Sequence, residues 1–332
     1  MGVSYLKPVS GVDYPSTFQQ LQSWFPDEAS CITYLAGLRW PNGFVCPACG
    51  LRDSWMTATG LWMCKGCERR TSVRAGTIFH RSRLPLQTWF AAVWFVTSQK
   101  NGVSALGLQR VLGFGSYETA WAWMHKLRRA KVRPDREMLS GIVEVDETHI
   151  GGRKEGTDGR GTTKDLVIVA VESQSNPRKL GRVRLALIPA ATTEALCGFI
   201  ETVVEPGSTI RTDGLIAYAN ITRRGYRHDP INLIRQPEPA HVYLPGVHRV
   251  ASLLKRWIAG TLHQGISTKH LDYYLDEFTF RFNRRTSRSR GLLFYRLLQQ
   301  AVLTDPHPLD TLISDWDWDW TEDPIDEWSN FS

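Results

Sequence analysis

The stretch GIVEVDETHIGG, residues 141–152, decides the fold. Its polar and apolar residues alternate with period two, which sets Glu144, Asp146 and Thr148 on one strand face and Val143, Val145 and Glu147 on the other. A second strand signal, GSTIRTDG at 207–214, ends on Asp213 and then Gly214, which lets the chain turn sharply as it leaves the strand. Downstream, HRVASLLKRWIAG (248–260) has helical period. Steps of 100° put His248, Ser252 and Lys255 on one face and turn Val250, Leu253, Leu254 and Trp257 inward. His248 and Lys255 stand two turns apart, about 10 Å at 1.5 Å per residue. Taken singly, each aspartate reads as a strand-end cap or turn residue, and the helix face as a solvated polar stripe. Taken together, two carboxylates on adjacent strands are hard oxygen ligands of the kind Mg²⁺ accepts. Glu277 is a reserve candidate for a third acid. It shares a helix with Leu271, Leu275, Phe278 and Phe282, where an i,i+4 pair with Arg281 also accounts for it.

Working outward, apolar runs at Ile142–Val145, Leu166–Val171, Val183–Ile188 and Thr209–Arg211 predict strands. A helix is expected to begin near Thr193, with two more near 248–259 and 268–285. Consecutive strands followed by helices predict an α/β domain over 141–304, a mixed sheet flanked by helices. Two acids at strand ends with a polar pair on the following helix is the arrangement by which a ribonuclease-H-like fold holds Mg²⁺. Residues 1–40 read as a helical lead-in, with Phe18, Leu21, Trp24 and Phe25 at helical spacing. Over 75–133, Leu86, Trp89, Phe90, Val93 and Val96 recur every three or four residues and predict a helical segment, linked to the sheet near Pro134–Ser140. The Gly-, Lys- and Arg-rich loop Gly151–Lys164 is expected to face a nucleic acid. Residues 305–332 form an acidic, Trp-rich tail containing a DWDWDW run.

Between them, residues 41–74 hold Cys46-x-x-Cys49 and Cys64-x-x-Cys67. Two such thiolate knuckles wrap a tetrahedral Zn²⁺ and leave no open coordination position, so this zinc is expected to be structural. Gly50 and Gly66 beside the ligands suit tight turns. Cys31 and Cys197 remain as buried thiols. The cysteine pattern indicates metal binding in a cytosolic chain. No run approaches the roughly 20 apolar residues of a membrane span, and the N-terminus lacks a signal peptide's pattern.

The net charge is +7, but nine acids and no Lys or Arg lie from Asp305 onward, so residues 1–304 carry +16. A body this basic favours a polyanionic partner. Ser104–Leu112, the turn Gly113–Gly115 and Ser116–Arg129 have helix-turn-helix proportions. On the second helix His125, Lys126, Arg128 and Arg129 fall away from the Ala120, Met124, Leu127 side and are the candidates for phosphate contact.

Over residues 40–295 the chain resembles the ISXO-like insertion-sequence transposases, zinc-ribbon relatives of the DDE/RNase-H superfamily. The resemblance runs through GTIFHRSRLPLQTWF, GVSALGLQRVLGFGSYETAW, VEVDETHIGG, IRTDG and VHRVASLLKRWIAGTLHQG to LDEFTFRFNRR, in the family's order. It implies that Asp146, Asp213 and His248 form the catalytic triad in a D-D-H variant, with Lys255 following to contact DNA. It also implies two divalent metals, Mg²⁺ or Mn²⁺, at the scissile phosphate, one activating water and then a 3′-OH and the other stabilising the leaving oxygen. The implied activity is cleavage of double-stranded DNA at the element's ends and strand transfer into a target, by a homo-oligomer in the bacterial cytoplasm. A catalytically inactive, domesticated DNA-binding regulator and a structure-specific nuclease of the same fold are the alternatives.

Overall fold

Helices form where a capping side chain meets apolar residues at helical spacing. In the computed structural model, which describes residues 7–132, 136–151, 164–174, 179–232, 235, 237–262 and 268–313, Thr17 and Asp27 cap α1 (Phe18–Trp24) and α2 (Glu28–Arg39). Each accepts a hydrogen bond from the backbone N–H three residues on. Helix α3 (Leu86–Ser98) starts after Pro85, which has no capping side chain; Glu28 of α2 reaches across and accepts from Leu86 N at 2.7 Å. Ser104 and Ser116 cap α4 (Ala105–Leu112) and α5 (Tyr117–Arg129), joined through Gly113 in the left-handed region at φ +67°. The predicted α3 positions Leu86, Trp89, Phe90, Val93 and Val96 are all buried, and Trp89 stacks on Trp123 of α5 with centroids 3.5 Å apart.

The cysteine module is a three-stranded antiparallel sheet, β1 (Ser54–Met56), β2 (Leu61–Cys64) and β3 (Arg70–Ser72). The second sheet is built from β4 (Ile142–Ile150), β5 (Asp165–Ser173), β6 (Leu180–Ile188), β7 (Thr209–Thr212) and β8 (Arg227–Pro230). Its spatial order is β6-β5-β4-β7-β8, with the β6–β5 and β5–β4 pairs antiparallel and the β4–β7 and β7–β8 pairs parallel. That order and polarity make the sheet ribonuclease-H-like. Helix α6 (Thr193–Val203) covers one face, where Leu196 and Ile200 pack on Val143, Val145, Ile168 and Ala170. A short α7 (Ala240–Tyr243) leads into α8 (Pro245–Leu262), which with α9 (Leu271–Asn283) covers the other face. There Val250, Leu254, Leu275 and Phe278 meet Val167, Val169, Val171 and Leu185.

Two features depart from expectation. Strand β8 was not foreseen: RHDP is polar and half-exposed, and as a short parallel edge strand it needs no apolar run. The chain then leaves the sheet. Helices α10 (Arg290–Ala301) and α11 (Leu309–Ile313) return to the helical body, where Phe294, Leu297, Leu298 and Leu312 share a core with Leu21, Phe25, Trp89 and Met124. The expected catalytic span of 141–304 therefore contains α10, which packs with the lead-in helices instead of on the sheet. Loop positions 152–163 and tail positions 314–332 lie outside the described residues, so the readings of a DNA-facing loop and a Trp-rich tail fall there. Among the described residues, no helix is long and apolar enough to cross a membrane.

Candidate functional site

On the face covered by α8, β5 contributes valines, but β4 contributes Glu144 and Asp146. These are two carboxylates in an otherwise apolar layer. Each has a distinct task. Glu144 is buried at 3% exposure and accepts from Gly246 N at 2.6 Å, Val247 N at 3.1 Å and Ser173 Oγ at 2.8 Å. An anion at the positive end of α8 ties the helix start to β4. Gly246 permits the approach, since a Cβ there would stand 2.8 Å from Glu144 Oε2. The sequence placed this residue on the Asp146 face but gave it no role. Its signal was an acid two positions before Asp146 on the same strand face.

With α8 anchored, His248 in its first turn comes to Asp146. His248 Nε2 lies 3.8 Å from Asp146 Oδ2, too far for a hydrogen bond, and that ring nitrogen is buried with no hydrogen-bonding partner among the described residues. Asp213 arrives from the other side. The parallel ladder pairs Glu144 with Arg211, and Asp213 leaves the end of β7 one residue past Thr212, near enough for its charge to act on Asp146. Asp213 Oδ1 accepts from Leu215 N at 2.9 Å, and Gly214 makes the turn at φ +81°. Burial pushes the Asp146 carboxyl up to about 7, and the neighbouring charges of Glu147 and Asp213 add to the shift against the Glu147 N–H bond that lowers it. Burial, then His241 and Lys255, lower the His248 pKa against the opposing pull of Glu144, keeping the imidazole neutral and able to act as a ligand. A cation with 2.1 Å bonds spaces its ligands at about 3.0 Å (cis) to about 4.2 Å (trans), which brackets the His248–Asp146 separation. The His248–Asp146 pair is thus spaced as two ligands of one ion would be, while among the described residues the group of three or more donors gathered within 4.8 Å is the cysteine cluster. Lys255 is exposed further along α8, while Val250, Leu254 and Ile258 hold the helix down.

The cysteine cluster is a separate centre. The four ligand sulfurs of Cys46, Cys49, Cys64 and Cys67 all lie within 4.8 Å of one another, with Cys46–Cys67 and Cys49–Cys64 at 3.5 Å. Zn–S bonds of 2.3 Å give tetrahedral edges of about 3.8 Å, so the cluster suits structural zinc. Backbone N–H groups of Ala48 and Cys49 bring the Cys46 thiol down to about 6. Cys49, although the Leu51 N–H favours its thiolate, is pushed up to about 12 by the sulfurs of Cys64 and Cys67. Four thiols this close ionise together only around a cation. The expected role of Gly66 is corrected. The left-handed residues of the two knuckles are Gly50 (φ +73°) and Glu68 (φ +55°), whereas Gly66 leaves room for Leu51, whose Cδ2 would lie 2.8 Å from an added Cβ. Cys31 and Cys197 are buried, as expected of leftover thiols.

The helix-turn-helix segment keeps its boundaries but not its proposed surface. Eight residues of α5 are buried, including His125 and Arg128, because α5 is sandwiched within the helical body and against α9. His125 lies 4.2 Å from the Trp121 ring and 4.8 Å from the His270 ring, and burial holds it neutral. Arg128 Nε donates to Glu277 at 2.8 Å and its guanidinium covers Tyr274. Neither side chain reaches solvent, so their expected phosphate contacts are corrected. Arg129 pairs with Asp276 at 3.2 Å, and Lys126 is half-buried. Glu277 is also removed from the metal site. It is 1% exposed and bound by Arg128, Lys131 and Arg281, each at 2.8 Å, on a helix that packs against β6.

The fold and the two centres define a class: a ribonuclease-H-like domain with paired aspartates, preceded by a zinc-ribbon module. Comparison with known proteins narrows it. Residues 138–283 match the ISXO2-like transposase domain, and residues 26–70 match the transposase zinc-ribbon domain. Both segments are thus similar to transposase domains, the zinc ribbon preceding the ISXO2-like domain along the chain. A Halobacterium salinarum protein described as an uncharacterized protein in transposable element ISH50 is 27% identical over 303 residues, covering 84% of this chain and 98% of its own length.

Proposed function

We propose that the chain is an active DNA transposase that binds its element's ends as a multimer, cleaves them in a metal-dependent reaction and joins the freed 3′-OH to target DNA. The observation that carries this reading is the approach of His248 Nε2, which has no hydrogen-bonding partner among the described residues, to Asp146 at 3.8 Å. Asp146, Asp213 and His248 would hold the divalent ions, which when bound supply Lewis acidity at a phosphate and acidify a water. The protein's own residues set up that chemistry. Glu144 clamps the start of α8, so His248 is delivered on a rigid helix. Gly214 releases the chain immediately after Asp213, leaving the carboxylate at the strand's carboxyl end. Lys255, exposed two turns beyond His248, would take a flanking phosphate. Lys126 and Arg129 remain the half-exposed cations of the helix-turn-helix segment.

The test is cleavage and joining of DNA carrying the element's own ends. Asp146→Asn, Asp213→Asn and His248→Ala should each abolish cleavage while end binding persists, and Mn²⁺ should support the wild type at least as well as Mg²⁺. Lys255→Ala should weaken DNA binding and leave metal binding intact. Normal cleavage by His248→Ala would remove the histidine from the metal site. Metal-independent cleavage by the wild type would overturn the reading altogether.

A further inference from the structure

A cavity of 320 Å³ lies at the free edge of the sheet, where β6 meets α9 and the connection that follows α5. Its lining includes Arg136, Arg182, Arg184, Arg284, Glu137 and Asp276. Arg184 projects from the interior of β6 and is only 4% exposed. Its guanidinium donates to the carbonyls of Val183, at 3.0 Å, and Glu137. Among the described residues, neither Arg184 nor Arg136 has a carboxylate within ion-pair distance. The remaining charges are largely committed elsewhere. Arg182 is paired with Glu172 at 2.6 Å, and Lys131, also at the cavity, with Glu277 at 2.8 Å. Asp276 is engaged by Arg129 at 3.2 Å, its charge also favours the Arg136 guanidinium, and burial raises its carboxyl to about 6. Arg284 lies over the Phe280 ring at 4.1 Å. Burial, followed by the charges of Arg136 and Arg182, lowers the Arg184 pKa to about 10.

A guanidinium buried among like charges is costly unless an anion joins it. Planar guanidinium forks match a phosphate's oxygens in pairs. The volume corresponds to about ten waters at ~30 Å³ each, room for a phosphate with part of what carries it. Arg184 pairs with Ala170, and Ala170 with Val145, so the three share the sheet face opposite Asp146, and the cavity opens at the sheet edge two strands, about 10 Å, from β4.

We propose that this arginine cavity is a phosphate-binding site that holds a backbone phosphate of the DNA, an inference that rests on the DNA-handling function proposed above. A free phosphate anion is the other source of the same chemistry, and the experiment separates the two. Full-length, zinc-loaded protein would be titrated with a fluorescent duplex of the element's end across a KCl series. Arg136→Gln and Arg284→Gln would be compared with Arg224→Gln, a control whose arginine pairs with Glu201 away from the cavity. Each cavity variant should lower the slope of log K against log salt by about 0.9 and weaken binding several-fold, with zinc content and thermal midpoint unchanged, while the control keeps the wild-type slope. Wild-type slope and affinity in both folded cavity variants would overturn the proposal. If in addition inorganic phosphate raised the thermal midpoint of the wild type but not of those variants, the occupant would be a free anion and the DNA assignment would fall. A wild type that bound no duplex at all would instead overturn the DNA-handling function, a result distinct from loss of the cavity's role.

Discussion

Asp146→Asn should make the metal-free protein more stable, by an amount that grows with pH. Burial raises this carboxyl from 3.8 to about 7. Between those values the folded state holds a proton that the unfolded chain has released. Stability is therefore fully present below the unfolded pKa and is lost as pH rises through the folded one. At 1.36 kcal/mol per unit, the loss relative to acid is about 2 kcal/mol at pH 5 and about 4 kcal/mol at pH 8. The side chain keeps 20% of its exposure, and solvent screening and local relaxation reduce those figures, so about half is expected. Asparagine retains an acceptor for the Glu147 N–H, which meets Asp146 Oδ1 at 2.8 Å, and removes the charge. Urea unfolding followed by tryptophan fluorescence, without Mg²⁺ or Mn²⁺, should show the variant ahead by ~2 kcal/mol at pH 8 and by ~1 kcal/mol at pH 5. Millimolar Mg²⁺ should stabilise the wild type at pH 8 and not the variant, since the ion takes up the charge that burial disfavours. A variant less stable than wild type at pH 8, or a difference flat from pH 5 to 8, would refute the reasoning.

Gly246→Ala forces a Cβ against Glu144 and should displace the start of α8, lowering cleavage at least tenfold with zinc content unchanged, as metal analysis and a cleavage assay would register. Glu277→Gln strands Arg128, Lys131 and Arg281 and should cost about 3–5 kcal/mol in urea unfolding. Lost cleavage at wild-type stability would instead make Glu277 a site residue. Structural zinc contributes roughly 10–16 kcal/mol in small peptides, so Cys64→Ser or chelation should unfold the ribbon and weaken end binding. Native mass spectrometry should find one zinc per wild-type chain and none in the variant.

Local pattern carried much of this molecule. Two C-x-x-C pairs announce a metal cluster because four thiolates at that spacing have little else to do. Period-two alternation put Asp146 on the α8 face, and the 3.6-residue repeat buried Trp89 and Phe90 and set the inner side of α8 at Val250 and Leu254. The sequence-level resemblance named the family that comparison then bore out. What escaped was decided by partners far away in the chain. Arg128 and Glu277 are 149 residues apart, and Glu144 and Gly246 are 102 apart. On its own helix, Arg128 has the spacing of a surface cation. Only the arrival of α9 turns it inward and neutralises it. Glu144 likewise reads as an ordinary strand acid until α8 places two backbone N–H groups against it. Periodicity records which way a side chain points. Whether solvent, a counter-charge or another helix waits there depends on how the elements pack, because a buried charge persists only where the tertiary structure brings it a partner.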